Sequence, residues 1–159
     1  MYASPETMKT LRTMYGWAFE SGKARTGYVR PEPYEVTEPF RVGSVLATPL
    51  PVDHAAVDTC AYMLESGGRR LVYMPDVKSI PEASLERMKG ADLLIIDGLR
   101  YDLHPTHMCL DESLAAIRAI EPGQAFLTHL SHNMDYRILS GRLPENVGAA
   151  YDGLRLSLP

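Results

Sequence analysis

Two rhythms of apolar residues run along the chain. Near the N-terminus Met8, Leu11, Tyr15 and Ala18 recur at spacings of three, four and three, which predicts a helix from about Pro5 to Phe19. Ser4 suits its N-cap, Pro5 its first position and Glu6 its first turn, and Gly22 is the expected stop. Residues 22–39 follow no period and contain Pro31, Pro33 and Pro39, so a long polar loop is expected there. From Phe40 the pattern turns strand-like. Val42, Val45, Leu46 and Leu50 predict one or two strands leading to Pro51-Val52-Asp53-His54. Thr59–Leu64 and Arg70–Met74 flank Gly67-Gly68 as a predicted hairpin. A short helix is expected from Pro81, at its first position, to about Lys89, closed by Gly90. Asp92–Asp97 is a continuous apolar strand. Asp111 is the expected cap of a helix that places Leu110, Leu114, Ile117 and Ile120 on one face. Gln124–Thr128 is the next strand, a short helix spans about Met134 to Leu139, and residues 149–156 around Asp152-Gly153 predict a second hairpin. Strands alternating with helices, together with hairpins, indicate an α/β class with a mixed sheet.

Several strands end on titratable residues. Leu71–Met74 leads to Asp76, Leu93–Ile96 to Asp97, and Phe126-Leu127-Thr128 to His129-Leu130-Ser131-His132. Open α/β folds carry their chemistry at such C-terminal strand ends. All five histidines (His54, His104, His107, His129 and His132) fall in or beside loops, close to Asp53, Asp76 and Asp97. Neutral imidazoles with carboxylates suit zinc, manganese or iron. No compact His-Glu-x-x-His motif is present, so spacing alone does not specify a metal site. Ser131 lies between two histidines, but there is no Gly-x-Ser-x-Gly elbow to make it a nucleophile. Gly67-Gly68 lacks the spacing of a phosphate-binding loop.

Composition narrows the classes. At 159 residues the length suits one domain, 1–159. A net charge of −4 argues against a nucleic-acid partner. No apolar run reaches the ~20 residues that span a bilayer, and the N-terminus has no secretory layout, so a cytoplasmic location is expected. Cys60 and Cys109 form no CxxC pair and are expected as buried thiols.

The order of these features resembles a known family. His54, Asp76 after an apolar strand, Leu94-Ile95-Ile96-Asp97, His104-Pro105-Thr106-His107, Thr128-His129-Leu130-Ser131-His132 and Tyr151-Asp152-Gly153 follow one another as in the metallo-β-lactamase-fold hydrolases. Among them the chain is most similar to the phosphoribosyl cyclic-phosphate phosphodiesterases that accompany carbon–phosphorus lyase. The resemblance runs from about Tyr2 to Leu156. It implies a four-layer αββα sandwich with a two-metal site along one edge. It also implies His54 as a ligand of the first metal, Asp76 as the bridge and His129 as a ligand of the second. His107 would protonate the leaving oxygen, with Asp97, His104 and His132 in support.

The family's His-x-His-x-Asp-His signature is not in this sequence. The chain therefore resembles the C-terminal portion of the fold. With Asp76 bridging, each of two zinc or manganese ions would keep two protein ligands, fewer than the three of a catalytic zinc site. Weak or absent metal binding and impaired phosphodiester hydrolysis are expected. The other readings are a tRNA 3′-processing or pyrroloquinoline-quinone-biosynthesis type of the same fold, or a non-catalytic fragment. The resemblance implies a small phosphorylated substrate. A homo-oligomer is expected to cover sheet surface left exposed.

Overall fold

The computed structural model describes residues 1–19 and 31–158. Gly22 as a helix stop, and residues 22–30 of the expected loop, lie outside the described residues. The chain divides into two compact units, Met1–Phe40 and Arg41–Pro159.

In the first unit, strand β1 (Tyr2–Ala3) precedes helix α1 (Pro5–Met14), helix α2 (Gly16–Phe19) and strand β2 (Tyr34–Glu35). Ser4 caps α1 as expected, its Oγ accepting the Thr7 N–H at 3.2 Å. The helix predicted to run unbroken to Phe19 is interrupted at Tyr15, which leaves helical geometry at φ −123°. Gly16 follows there, and glycine is a poor helix continuer. β1 and β2 pair in parallel, and the Tyr2 ring stacks on Tyr34 at 5.0 Å and on Phe40 at 4.7 Å. The stretch predicted to be all loop thus contains one short strand.

The second unit is built on one sheet. Its strands are β3 (Phe40–Val42), β4 (Val45–His54), β5 (Val57–Ser66), β6 (Arg69–Met74), β7 (Leu93–Asp97), β8 (Gln124–Thr128) and β9 (Val147–Ala149), and their order in the sheet is their order in sequence. β4, β5 and β6 form an antiparallel meander, and β6 to β9 run parallel. Helices α3 (Glu82–Met88), α4 (Leu110–Ile120) and α5 (Tyr136–Ser140) supply the crossovers. Gly67-Gly68 make the predicted β5–β6 turn at φ +58° and +77°, the left-handed geometry a two-residue hairpin requires.

The parity of the strands sets the core. Met63, Val72, Leu94, Ala125 and Val147 lie side by side across five strands, and Met74, Ile96, Leu127 and Ala149 form the next row. Both rows are buried in one cluster with Met88 of α3, Leu110, Ile117 and Ile120 of α4 and Leu139 of α5. Each such large side chain contributes about 1.5–3 kcal/mol by leaving water. Of the implied αββα layers, the described residues of this unit hold one sheet with helices on this face.

Three local expectations change. Cys109, not Asp111, caps α4: its N–H donates to Glu112 Oε2 at 2.9 Å, and the helix starts two residues earlier, with Leu110 already buried. Residues 149–156 do not form a hairpin. β9 instead joins the sheet in parallel beside β8, and the Asp152-Gly153 turn has no return strand. Cys60 is exposed on β5, whereas Cys109 is buried. A continuous α5 crossover, rather than a tight turn, decides the pairing of β9.

Candidate metal centre

Strand direction brings the titratable residues together. β4 is antiparallel to β5, and β5 to β6, so β4, β6, β7 and β8 all point the same way. Their C-terminal ends share one edge of the sheet. His54 is the last residue of β4, Asp97 the last of β7, and Asp76 and His129 follow β6 and β8 within two residues. Gly98 N–H bonds to Thr128 O at 3.0 Å, keeping β7 and β8 in step at this edge. His129 takes a positive φ of 59°, a left-handed turn that a non-glycine residue adopts at a cost.

The remaining histidines arrive on the loop between β7 and α4. That loop is closed by bonds from Leu110 N–H to Arg100 O at 2.9 Å and from Met108 N–H to Val77 O at 2.8 Å. It carries His104 and His107 to the strand ends. The His107 ring lies 4.5 Å from that of His54, 4.8 Å from His129 and 5.2 Å from His104, centre to centre.

Asp97 is fully buried. Its Oδ2 accepts from His107 Nδ1 at 2.7 Å and from the Val77 N–H at 3.3 Å. Its Oδ1 is buried without a hydrogen bond and lies 3.7 Å from His129 Nδ1, which is also 3.8 Å from Asp76 Oδ1. His54 Nδ1 lies 2.7 Å from the Thr106 carbonyl. A carbonyl only accepts, so Nδ1 carries the proton and Nε2 is left with its lone pair. His104 is opposite: its Nδ1 accepts the Thr106 N–H at 3.3 Å, which puts its proton on Nε2. Burial, with the nearby Arg100 charge and His107, holds His104 below the usual histidine pKa.

Among the described residues two donor groups have ligand atoms within 4.8 Å of one another: His54, Asp76 and His107, and Asp97, His107 and His129. The triad His54, Asp76 and His129 is not gathered as one such group. Asp76 is a short step from each of its members, and His107 lies in both groups. His132 is exposed, and no described contact joins it to the cluster. Ser131 Oγ is buried without a hydrogen-bond partner, so no base is seen to activate it. Thr106 was not singled out by sequence reasoning, although a threonine between two histidines was the available signal. Asp53 is structural: its carboxylate accepts from Ser79 Oγ and its carbonyl from Lys78 N–H, pinning the β4 end to the Asp76 loop.

The donor set fits a divalent ion. Imidazole nitrogens and carboxylate oxygens converge in two donor groups, and an unpaired buried carboxylate oxygen of Asp97 lies within them. Such nitrogen and oxygen donors suit borderline ions such as zinc or manganese.

Comparison with known proteins agrees. Residues 1–130 match the family described as beta-lactamase superfamily domain. Over 118 residues the chain is 30% identical to an octanoyltransferase of Porphyromonas gingivalis, covering 73% of this chain and 23% of that protein. A crystal structure of a diphosphatase from the PhnP family superposes with a TM-score of 0.86 at 29% identity, covering 98% of this chain and 56% of that one. Zinc-bound PqqB from Methylobacterium extorquens gives a TM-score of 0.71 at 22% identity, covering 99% of this chain and 64% of that one. The human short-form tRNase Z gives 0.67 at 14% identity, covering 99% of this chain and 66% of that one. The chain spans less than a quarter of the octanoyltransferase and little more than half of the diphosphatase. With one large mixed sheet, its functional groups at a single strand edge and a family match over most of its length, the chain belongs to the beta-lactamase superfamily domain family and has the metallo-β-lactamase fold.

Proposed function

We propose that this site serves metal-dependent hydrolysis of a phosphoester, either a cyclic phosphodiester or a diphosphate ester. The observation that carries the reading is the meeting of His54, Asp76, Asp97, His107 and His129 at one sheet edge, in two overlapping donor groups. The likeness to a diphosphatase supports the phosphoryl substrate class. The likenesses to PqqB and tRNase Z, below 25% identity, speak for the fold alone.

His54, Asp76 and His129 would hold the divalent ion or ions. Bound there, a divalent ion supplies Lewis-acid polarisation of a phosphoryl oxygen and activates water. His107 is the proton donor to the leaving oxygen. Its Nδ1 is committed to Asp97, so Nε2 is the nitrogen that exchanges a proton with substrate. His104, neutral with its proton on Nε2, offers a hydrogen bond to a substrate oxygen beside His107. With His54 and Asp76 on one ion and Asp76 and His129 on another, each ion would have two protein ligands from these residues, which would hold it weakly and make turnover slow.

The test is turnover of a cyclic nucleotide monophosphate and of a nucleoside diphosphate with zinc or manganese added. We expect slow, chelator-sensitive hydrolysis. His107→Ala should lower it about 100-fold or more while leaving metal content unchanged. Hydrolysis indifferent to chelator, or none at saturating metal, overturns the reading and leaves a non-catalytic fragment. Loss of metal in His107→Ala would instead make His107 a ligand.

A further inference from the structure

We propose that Asp97 is a shared positioning residue, which sets the tautomers of both His107 and His129 by accepting Nδ1–H from each, one ring on each carboxylate oxygen. This rests on the metal-site reading above for its purpose, although not for its test.

Asp97 closes the middle one of three adjacent parallel strands. β7 lies between β6 and β8, so its terminal residue stands between the groups that follow those strands, Asp76 on one side and His129 on the other. Thr128 is the register partner of Asp97, which places His129 one residue beyond it. The Asp97 backbone is fixed as well: Ser113 of α4, itself fully buried, donates its hydroxyl to Asp97 O at 2.6 Å. The backbone that carries the carboxylate is therefore held, and the His107 and Val77 bonds to Oδ2 hold the side chain.

One oxygen is already occupied. His107 Nδ1 lies 2.7 Å from Oδ2, and a carboxylate only accepts, so His107 carries its proton on Nδ1 and keeps Nε2 for substrate. The other oxygen is buried and has no donor. Buried carboxylate oxygens without a partner are rare and costly. His129 Nδ1 lies 3.7 Å from it. Closing that gap by less than 1 Å would give a normal N–H···O bond. Asp76 lies as near to the same nitrogen, but its carboxylate is half-exposed and solvated, so it has less need of the proton. With Nδ1–H on Asp97, His129 presents the Nε2 lone pair to an ion. Metal-ligating histidines are commonly held this way by an outer carboxylate. Asp97 would thus couple a metal ligand to the proton donor through one rigid group.

The test reads tautomers directly, by long-range ¹⁵N–¹H correlation spectra of the imidazoles in the metal-free protein at a pH where the rings are neutral. In the natural sequence both His107 and His129 should show a protonated Nδ1 and an unprotonated Nε2. A protonated Nε2 on His129 overturns the proposal. Asp97→Asn supplies the second arm. An amide offers one accepting oxygen and one donating nitrogen, so one of the two rings must change tautomer, and zinc affinity measured by calorimetry should fall about 10- to 100-fold. Both rings unchanged in a folded Asp97→Asn protein also overturns it, because a merely structural carboxylate would alter affinity and melting without moving the proton. If that variant does not fold, the spectrum of the natural sequence decides alone. None of these readings depends on turnover, so a failure of the hydrolase proposal leaves the outcome legible.

Discussion

At the scale of single residues, partner chemistry sets the protonation pattern. His54 and His104 both bond to Thr106, one to its carbonyl and the other to its N–H, and so carry their protons on opposite nitrogens. Lys78 and Glu112 make the clearest pH-dependent contact near the site. Burial of Glu112 raises its pKa, but the Lys78 ammonium at 2.6 Å and the Cys109 N–H at 2.9 Å outweigh it, and the net shift is downward. A carboxyl with a depressed folded pKa stabilises above its unfolded value, and that stability is lost as pH falls through the folded value. Lys78→Met should therefore lower stability at pH 7 by about 0.5 kcal/mol, as expected for a partly exposed pair. The gap between the two proteins should narrow as urea denaturation is repeated below pH 4. A gap that widens in acid would contradict this account.

At the scale of elements, α4 and the β8–β9 pair hold the site from behind. Ser113 is fully buried, and its hydroxyl donates to Asp97 O and Cys109 O. Ser113→Ala should cost about 1–2 kcal/mol by removing the buried hydroxyl bond to Asp97 O, and denaturant midpoints would show it. Gly148 lies under the Phe126 ring: a Cβ there would meet Phe126 Cε1 at 2.6 Å. Gly148→Ala should cost about 1–3 kcal/mol by overpacking, whereas Gly148→Ala combined with Phe126→Leu should recover part of it. Non-additivity in that double-mutant cycle is the readout. The sequence made β8 legible to the residue, because Gln124–Thr128 is flanked by Pro122-Gly123 and by a polar cluster. It misread β9, because Asp-Gly signals a turn but does not say whether a strand returns from it.

At the scale of the whole molecule, ligation and association are the measurable properties. A divalent ion that binds the folded protein at 100 times its dissociation constant adds about 2.7 kcal/mol of stability. Zinc should therefore raise the melting temperature, and a chelator should return it. His129→Ala and His54→Ala should blunt that response, whereas His132→Ala, at an exposed residue in neither donor group, should leave it intact. The sheet face opposite the helices exposes Tyr73 and Cys60 beside half-buried Leu64 and Leu71. We expect a second copy of the chain to cover that face, so sedimentation should report a dimer that Tyr73→Glu weakens. A monomer at all concentrations would reject it. Among the described residues no helix is long and apolar enough to cross a membrane.

The sequence by itself determined the α/β class, most element positions and the residue types from which a metal site could be made. Those properties follow from local periodicity, turn chemistry and the ordered recurrence of His and Asp after apolar runs. The tertiary structure decided which of them meet. Strand polarity and register are non-local, and they alone put His54, Asp76, Asp97 and His129 on one edge although 75 positions separate the first from the last. The structure also moved Asp97 from a supporting position to the buried centre of the cluster, and left His132 outside it. Spacing along a chain cannot report which nitrogen of a ring finds a carbonyl, or which carboxylate oxygen is left without a donor. Those facts exist only once the loop carrying Thr106 and His107 has folded back over the strand ends.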